Sequence, residues 1–310
     1  MTNALNTLLA KLDSLGVERS LTEETYRKIS ERGFRGNSGV LAAVICDIVL
    51  EDHPMTLRGL FYRVVSTGLI DSTSNQNYKK IGRLVTSLRR EGLLRYEWIV
   101  DSLRATLKPS SWTGLADFAD TVREAYRKDF WNELPSYVHI FCEKDAIAGV
   151  LQPSTEKYDV RLSPARGYCS ESFAYEIAST WKRIKKPIFA AYFGDYDPSG
   201  FDIERNLRTK LADMSGRDFE WIRLGVNQDD FDEFNLVRLK PKKSDCRYKK
   251  FFEQHGKDCA EVDAIPPSEL RDRVEKFILN HIPEREWLRL QEVEALERES
   301  FQRTLGTLSV

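Results

Sequence analysis

The alternation of apolar and helical segments after residue 136 restricts the fold of this chain more than any other feature. Three apolar segments have the length and composition of buried strands: YVHIFC at 137–142, YDVRLSP at 158–164 and PIFAAYFGD at 187–195. The segment that follows each of them carries apolar residues at helical spacing. Since strands that alternate with helices pair in parallel through crossover connections, this half of the chain is predicted to form a parallel α/β sheet.

The chain before residue 136 is predicted to be mainly helical. After residue 50, a helix that starts at Thr56 and ends at Gly68 is followed by a turn, a basic helix and the strand-like segment LLRYEWIV. This order is typical of a winged helix-turn-helix, whose second helix commonly enters a DNA groove. A basic helix can also be a solvated face, so DNA contact is one of two interpretations of its cationic residues, which are Lys79, Lys80, Arg83, Arg89 and Arg90.

The predicted fold class is therefore α/β plus mainly α, in four parts. Residues 1–50 are a helical region, 51–107 the winged helix, 108–135 a connector, and 136–310 the α/β domain with a C-terminal helical extension. With 310 residues, the chain is long enough for more than one hydrophobic core.

Composition excludes several classes of protein. The formal net charge is −1, so contacts with a polyanion must come from local basic patches. The five cysteines are scattered without a C-x-x-C pair, which argues against a disulfide framework or a structural zinc site and fits a reducing compartment. No apolar segment is long enough to span a bilayer and the N-terminus lacks a signal-peptide layout, so a cytoplasmic location without membrane contact is expected.

The motif GDYDPSG at 194–200 admits two metal-site interpretations. Asp195, Asp197, Ser199 and Gly200 match the first half of a calcium-binding loop. Position 12 of such a loop would be Asn206 instead of a bidentate glutamate, and a strand precedes the motif where a helix should lie. A different metal site is therefore favoured.

Three carboxylates are expected at one edge of the predicted sheet. Asp195 and Asp197 follow one strand, and Glu143 follows another, so all three belong to the carboxyl end where sites assemble in open α/β sheets. Three such groups do not all stay ionised without a cation, and their hard oxygen ligands suit Mg²⁺, with Mn²⁺ as the alternative ion. The competing interpretation of Glu143 is a helix-start carboxylate favoured by the helix dipole.

The two motifs FCEKDAIAGVL and GDYDPSG together resemble the Toprim domain. The segments ARGYCS (165–170), RLGV (223–226) and EVDAI (261–265) are similar to the subgroup found in the A subunit of topoisomerase VI and in its relative, the meiotic double-strand-break protein. The resemblance covers most of residues 54–300. It implies that 136–310 is a Toprim domain, that 51–107 is a CAP-like winged helix, and that Glu143, Asp195 and Asp197 hold the metal ion.

The same resemblance implies a tyrosine nucleophile. The family motif T-x-R-x-[IL]-[YF]-Y matches Thr56, Arg58, Leu60, Phe61 and Tyr62, so Tyr62 corresponds to the nucleophile. A tyrosine is protonated at neutral pH and needs a base or a nearby cation, for which Arg58 and Arg63 are the candidates. On a helical wheel, Tyr62 lies about 130° from the centre of the apolar stripe, so it is predicted to be displaced from the core toward the face that carries Arg58.

The implied activity is magnesium-dependent cleavage of double-stranded DNA by transesterification. A homodimer would then make a double-strand break, with each tyrosine acting at the metal site of the other protomer. Topoisomerase VI obtains ATP-driven gating from a second polypeptide, so a separate ATPase partner is also implied.

Further cationic residues are candidate DNA contacts. The basic segment 237–250 supplies Lys240, Lys242, Lys243 and Arg247, for which a solvated loop is the alternative interpretation, and the segment ARGYCS supplies Arg166. Glu261 and Asp263 either supplement the metal site or cap a helix.

Two other functions compete with transesterification. The chain also resembles the topoisomerase-VI-A-like nuclease component of bacterial SMC-type plasmid-defence systems, which would make it a metal-dependent hydrolase in which Tyr62 is structural. An inactive DNA-binding module is the third hypothesis.

Overall fold

The structure is a computed structural model that describes residues 2–16, 19, 21–31, 34, 37–100, 110–241 and 244–308. The chain is mixed α/β and contains a four-stranded parallel sheet. The predicted combination of a helical N-terminal part with a parallel α/β part is confirmed at that level.

In the N-terminal part, the described residues form five helices that pack around one apolar core. Their bounds are α1 Thr2–Ser14, α2 Glu23–Glu31, α3 Asn37–Glu51, α4 Leu57–Ser66 and α5 Asn75–Arg90. Thr56 caps α4 as predicted, because its side chain accepts a hydrogen bond from the Gly59 amide. Gly68, just beyond α4, adopts a φ of 77°, a conformation that glycine enters without steric cost.

The predicted strand LLRYEWIV is mostly wrong. Its residues Tyr96–Trp98 form a 3₁₀ turn, and only β2, Ile99–Val100, pairs in parallel with β1, Met55–Thr56. The Arg89 guanidinium donates hydrogen bonds to the carbonyls of Tyr96 and Ile99, at 2.7 and 2.6 Å. An arginine side chain thus satisfies backbone groups that a longer strand would have paired in a ladder.

The C-terminal part is built on the parallel sheet. Its strands are β3 Tyr137–Cys142, β4 Arg161–Pro164, β5 Ile188–Phe193 and β6 Glu220–Arg223, in the order β4-β3-β5-β6. The remaining helices are α6 Leu115–Ala125, α7 Phe130–Glu133, α8 Asp145–Lys157, α9 Glu171–Arg183, α10 Pro198–Ser215, α11 Asp230–Glu233, α12 Tyr248–His255, α13 Pro267–Leu279 and α14 Glu284–Leu308. The strands and helices predicted between residues 136 and 214 are all present.

The period-2 alternation along β3 and β5 divides the core into two layers. Ile140 and Phe193 face the layer covered by α8 and α13, whereas Phe141 and Tyr192 face the layer covered by α9 and α10. Helices therefore cover both faces of the sheet, which explains why its strands are apolar throughout.

The cysteines and the helices bear on the class of protein. All five cysteines are free thiols. Among the described residues, no helix combines the length and the apolar character needed to cross a membrane.

Candidate functional site

The carboxyl ends of β3 and β5 lie side by side at the point where the strand order reverses. From β3 the chain crosses to β4 on one side, and from β4 it crosses back over to β5 on the other. Cys142 pairs with Phe193 at the last position of both strands, so Glu143 lies opposite Gly194. In open α/β sheets this crevice is where ligands bind, and the sheet brings Glu143 and Asp195 there.

Glu143 and Asp195 are in direct contact. The Asp195 amide donates a hydrogen bond to Glu143 Oε2 at 3.1 Å, and both side chains are buried. Close backbone packing supports this contact, because a Cβ on Gly194 would lie 3.1 Å from Glu143 Oε2 and 2.4 Å from the Tyr192 ring. A larger residue at position 194 would thus collide with the Tyr192 ring and crowd the Glu143 carboxylate.

Asp197 also caps the helix that follows β5. Its side chain accepts a hydrogen bond from the Gly200 amide at 2.7 Å and caps α10. Its negative charge also lies close enough to Glu143 to raise the pKa of that carboxyl, so the assignment of Asp197 to the metal site stays a prediction. The same cap, directly after a strand, rules out the helix-loop-helix of a calcium loop.

A distant segment adds two more carboxylates. Residues 259–263 run antiparallel to the loop after β5, where Tyr196 and Ala260 exchange backbone hydrogen bonds and the Val262 amide donates to Asp195 Oδ1 at 2.9 Å. This pairing brings Glu261 and Asp263 to the site. We refer to Glu143, Asp195, Glu261 and Asp263 as the carboxylate cluster.

Lys144 is the internal counter-ion of this cluster. Its ammonium lies 2.9 Å from Asp195 Oδ1, 3.3 Å from Glu261 Oε2 and 3.0 Å from Asp263 Oδ2. Burial lowers the pKa of Lys144, but the three carboxylates outweigh that effect and hold the pKa above its ordinary value. The ammonium therefore stays charged at neutral pH.

Lys144 does not fully compensate the negative charges of the Glu143 and Asp195 carboxylates. Burial raises the pKa of Asp195 to about 7; Lys144 opposes this rise and Glu143 adds to it. Burial likewise raises the pKa of Glu143, against the Asp195 amide and Lys144. Both shifts indicate a site that an additional cation would stabilise in its ionised form.

The carboxylate cluster forms one wall of a cleft of about 840 Å³ between the two parts of the chain. Helices α4 and α5 form the opposite wall, with Arg58, Tyr78 and Arg89 facing the space. Arg58 holds Glu261 through two contacts of 2.5 Å, and Thr56 Oγ1 donates to Asp263 Oδ1 at 2.6 Å. The helix-turn-helix is thus docked directly on the carboxylates.

Tyr62 is part of the apolar core, and its predicted displacement from that core is wrong. It is only 4% exposed and does not line the cleft. Tyr62 is buried although it lies off the apolar stripe, because α4 is covered on two sides, by the helical core and by the turn at residues 262–264. The Tyr62 hydroxyl reaches Arg58 and Glu261; burial and the charge of Glu261 raise its pKa, which Arg58 only partly offsets.

Three of the basic residues on α5 share one exposed face. Lys79, Arg83 and Arg90 line a shallow depression of about 830 Å³. Gly82 and Thr86 belong both to this depression and to the cleft, so the basic face leads into the cleft.

The other candidate DNA-binding residues differ in how many internal contacts their side chains make. Lys80 and Lys240 are exposed, whereas Arg89 holds the 96–99 backbone while also lining the cleft. Arg166 lines the cleft and donates to Asp145 at 2.9 Å.

Arg247 is committed to internal contacts with Asp245, Asp202, Ser199 and Tyr168. These contacts use the donors that a DNA phosphate would need. Lys242 and Lys243 lie outside the described residues.

The donor set suits a hard divalent cation. Among the described residues, no three His, Cys, Asp or Glu side chains are placed to hold one metal ion. Mg²⁺, however, commonly binds one or two carboxylates and keeps several waters. Glu143 and Asp195 provide such a pair, and the Lys144 ammonium at Asp195 Oδ1 is a stand-in cation.

Two residues of the site were not singled out from the sequence. Lys144 follows Glu143 directly, and a cation beside a strand-end carboxylate is the signal that would have found it. Arg223, at the end of β6, donates hydrogen bonds to the carbonyls of Gly194 and Asp195 and pairs with Glu204. The RLGV motif contains Arg223, but the spacing of residues in the motif does not reveal these contacts.

Comparison of the chain with protein-family models, with curated proteins and with solved structures found no match. The geometry of the cleft therefore carries the functional argument.

Proposed function

We propose that this chain cleaves DNA phosphodiester bonds in the cleft, with a divalent metal ion bound by Glu143 and Asp195. The observation that carries the proposal is the contact of the Asp195 amide with the Glu143 carboxylate at the strand-order reversal, where both side chains line a cleft whose opposite wall includes the basic helix α5. A bound Mg²⁺ or Mn²⁺ would supply Lewis-acid stabilisation of the charge on the phosphate and on the leaving oxygen.

The chain's own residues would bind and orient the substrate. The α5 face with Lys79, Arg83 and Arg90 would bind the DNA backbone and direct it into the cleft. Inside the cleft, Arg166, whose side chain is 72% exposed, would neutralise the phosphate beside the carboxylate cluster. Fixed charges in a partly desolvated cleft favour the charge that develops in the transition state.

The burial of Tyr62 favours hydrolysis over transesterification. A tyrosine that attacks phosphorus needs an exposed and readily deprotonated hydroxyl, whereas Tyr62 is buried and its pKa is raised. Water is therefore the nucleophile in our proposal.

Tyrosine transesterification is the second candidate. The observation that favours it is the contact of the Tyr62 hydroxyl with Arg58 and Glu261, which themselves line the cleft. Opening of the Arg58–Glu261 pair would expose Tyr62 to a substrate.

Incubation of supercoiled plasmid with the protein and Mg²⁺ or Mn²⁺ tests both candidates. We expect nicked or linear DNA with free ends, and unchanged cutting by Tyr62→Phe. Ends that enter the gel only after protease treatment, together with loss of cutting in Tyr62→Phe, would instead establish transesterification. Glu143→Gln and Asp195→Asn should abolish cutting; if both variants act like the wild type, the metal-dependent proposal is wrong.

Charge reversal on α5 tests the DNA path. Arg83→Glu should weaken duplex binding at least tenfold and reduce its salt dependence, because a phosphate contact is lost. Lys182→Glu makes the same charge change on the exposed surface of α9 and is the matched control. Equal effects of the two changes on binding would show that overall charge, and not the α5 face, governs binding.

We further propose that the α/β part is a Toprim domain and that α4 and α5 belong to a winged helix of the type found in the A subunit of topoisomerase VI. The paired carboxylates and the helix-turn-helix support this assignment. A homodimer would place two clefts on opposite DNA strands, and sedimentation with and without duplex DNA tests for it.

A further inference from the structure

We propose that Lys144 competes with the divalent ion for Asp195 and thereby sets the affinity of the metal site. This inference rests on the proposed metal-dependent function. It assigns a role to a residue that lies in the site and has no part in holding the ion.

The first step is the position of the ammonium. Lys144 Nζ lies 2.9 Å from Asp195 Oδ1, which also accepts the Val262 amide at 2.9 Å. Two donors thus already share this oxygen, so the ammonium occupies a position from which a divalent ion would bind Asp195.

The second step is electrostatic. A magnesium–carboxylate oxygen distance is about 2.0–2.1 Å, so an ion on Asp195 would lie within a few ångströms of an ammonium that stayed in place. Repulsion between a divalent and a monovalent cation at that separation is larger than the net stabilisation by one hydrogen bond, even with strong screening. An ion that binds Asp195 Oδ1 must therefore displace the Lys144 ammonium from that oxygen.

The third step is the destination of the displaced ammonium. Lys144 also contacts Glu261 Oε2 at 3.3 Å and Asp263 Oδ2 at 3.0 Å. Rotation of its flexible four-carbon stem releases Asp195 while the other two carboxylates keep their counter-ion. The charge of Glu261 and Asp263 thus stays compensated, and Lys144, which lines the cleft, remains beside the position of the substrate phosphate.

The consequence is a negative coupling between Lys144 and the metal ion. Loss of the ammonium should tighten ion binding, because the ion no longer displaces a bound cation. The same loss should lower the stability of the protein without ion, because buried carboxylates lose their partner.

The test is Mn²⁺ binding, measured through the electron paramagnetic resonance signal of the free ion. Lys144→Met should bind Mn²⁺ about tenfold or more tightly than the wild type. Lys144→Arg, which keeps the positive charge, should bind no more tightly than the wild type. Lys157→Met removes one charge from the other end of α8, where Lys157 pairs with Glu275, and should leave the affinity unchanged.

Thermal unfolding gives a second readout. Saturating Mn²⁺ should raise the melting temperature of Lys144→Met more than that of the wild type, since a tighter ligand stabilises more at a given concentration. If Lys144→Met does not fold, Lys144→Gln gives the same comparison.

Failure of the competition and failure of the metal site itself would give different binding results. Wild-type binding with equal or weaker binding by both uncharged variants would overturn the competition and leave the metal site intact. Absence of Mn²⁺ binding in every variant would overturn the metal site and the competition together.

Discussion

Asp52 joins the two parts of the chain, and its removal is expected to destabilise the protein strongly. The residue directly follows α3 and is 4% exposed. Its carboxylate accepts hydrogen bonds from Arg271 at 2.8 Å, from the amide and hydroxyl of Ser268 at 3.2 and 3.1 Å, and from Arg63 at 3.4 Å. Two of these partners lie on α13, so Asp52 connects the helical part to the α/β part.

The size of the effect follows from the burial of the partners. Loss of one member of a buried ion pair costs about 3–5 kcal/mol, because the other charge is left uncompensated. The arginine side chains on Asp52 are 19% and 22% exposed, so water takes up part of that cost. For Asp52→Ala we therefore expect a loss of about 3 kcal/mol in the free energy of unfolding, at the lower end of that range.

Glu51→Ala is the matched control. Glu51 pairs with the same Arg63 at 3.0 Å, but its side chain is 64% exposed. Such a surface pair contributes about 0–1 kcal/mol. Urea unfolding followed by circular dichroism measures both variants under the same conditions.

The reasoning is refuted if Asp52→Ala costs less than about 1 kcal/mol or no more than Glu51→Ala. A loss of the expected size should also reduce DNA cutting, because the cleft lies between the parts that Asp52 joins.

Three further predictions test the site. Arg223→Lys should weaken Mn²⁺ binding several-fold, since an ammonium cannot span the Gly194 and Asp195 carbonyls; unchanged affinity would contradict this. Because the pKa of Asp195 is raised from 3.8 to about 7, Mn²⁺ affinity should fall about tenfold per pH unit below that value, and stability without the ion should fall as the pH rises through it. An Mn²⁺ affinity that stays constant between pH 6 and 8 would refute that reasoning. Gly59→Ala should cost about 1–3 kcal/mol in a urea titration, because its Cβ would lie 2.9 Å from the Asp263 carbonyl oxygen; wild-type stability would show that the backbone yields there.

Local patterns predicted much of the fold. The strands and helices between residues 136 and 214, the Thr56 cap and the basic helix α5 follow from periodicity and capping chemistry, which act over a few residues. The meeting of Glu143 and Asp195 was also predictable, because parallel strands bring their carboxyl ends to one edge.

The predictions from sequence were wrong where contacts beyond the local segment determine the structure. The strand expected at LLRYEWIV is shorter than predicted, and Arg89 donates hydrogen bonds to its backbone carbonyls. Tyr62 lies off the apolar stripe of its helix yet is buried, because a segment some 200 residues later covers it.

Residue patterns were sufficient to predict a parallel sheet with acidic strand ends and, before it, a basic second helix. They could not predict that Lys144 neutralises Asp195 together with Glu261 and Asp263, or that α4 covers these groups and completes the cleft. Backbone propensity and periodicity act over a few residues, whereas the pairing of buried charges depends on which distant segments share the same low-dielectric space.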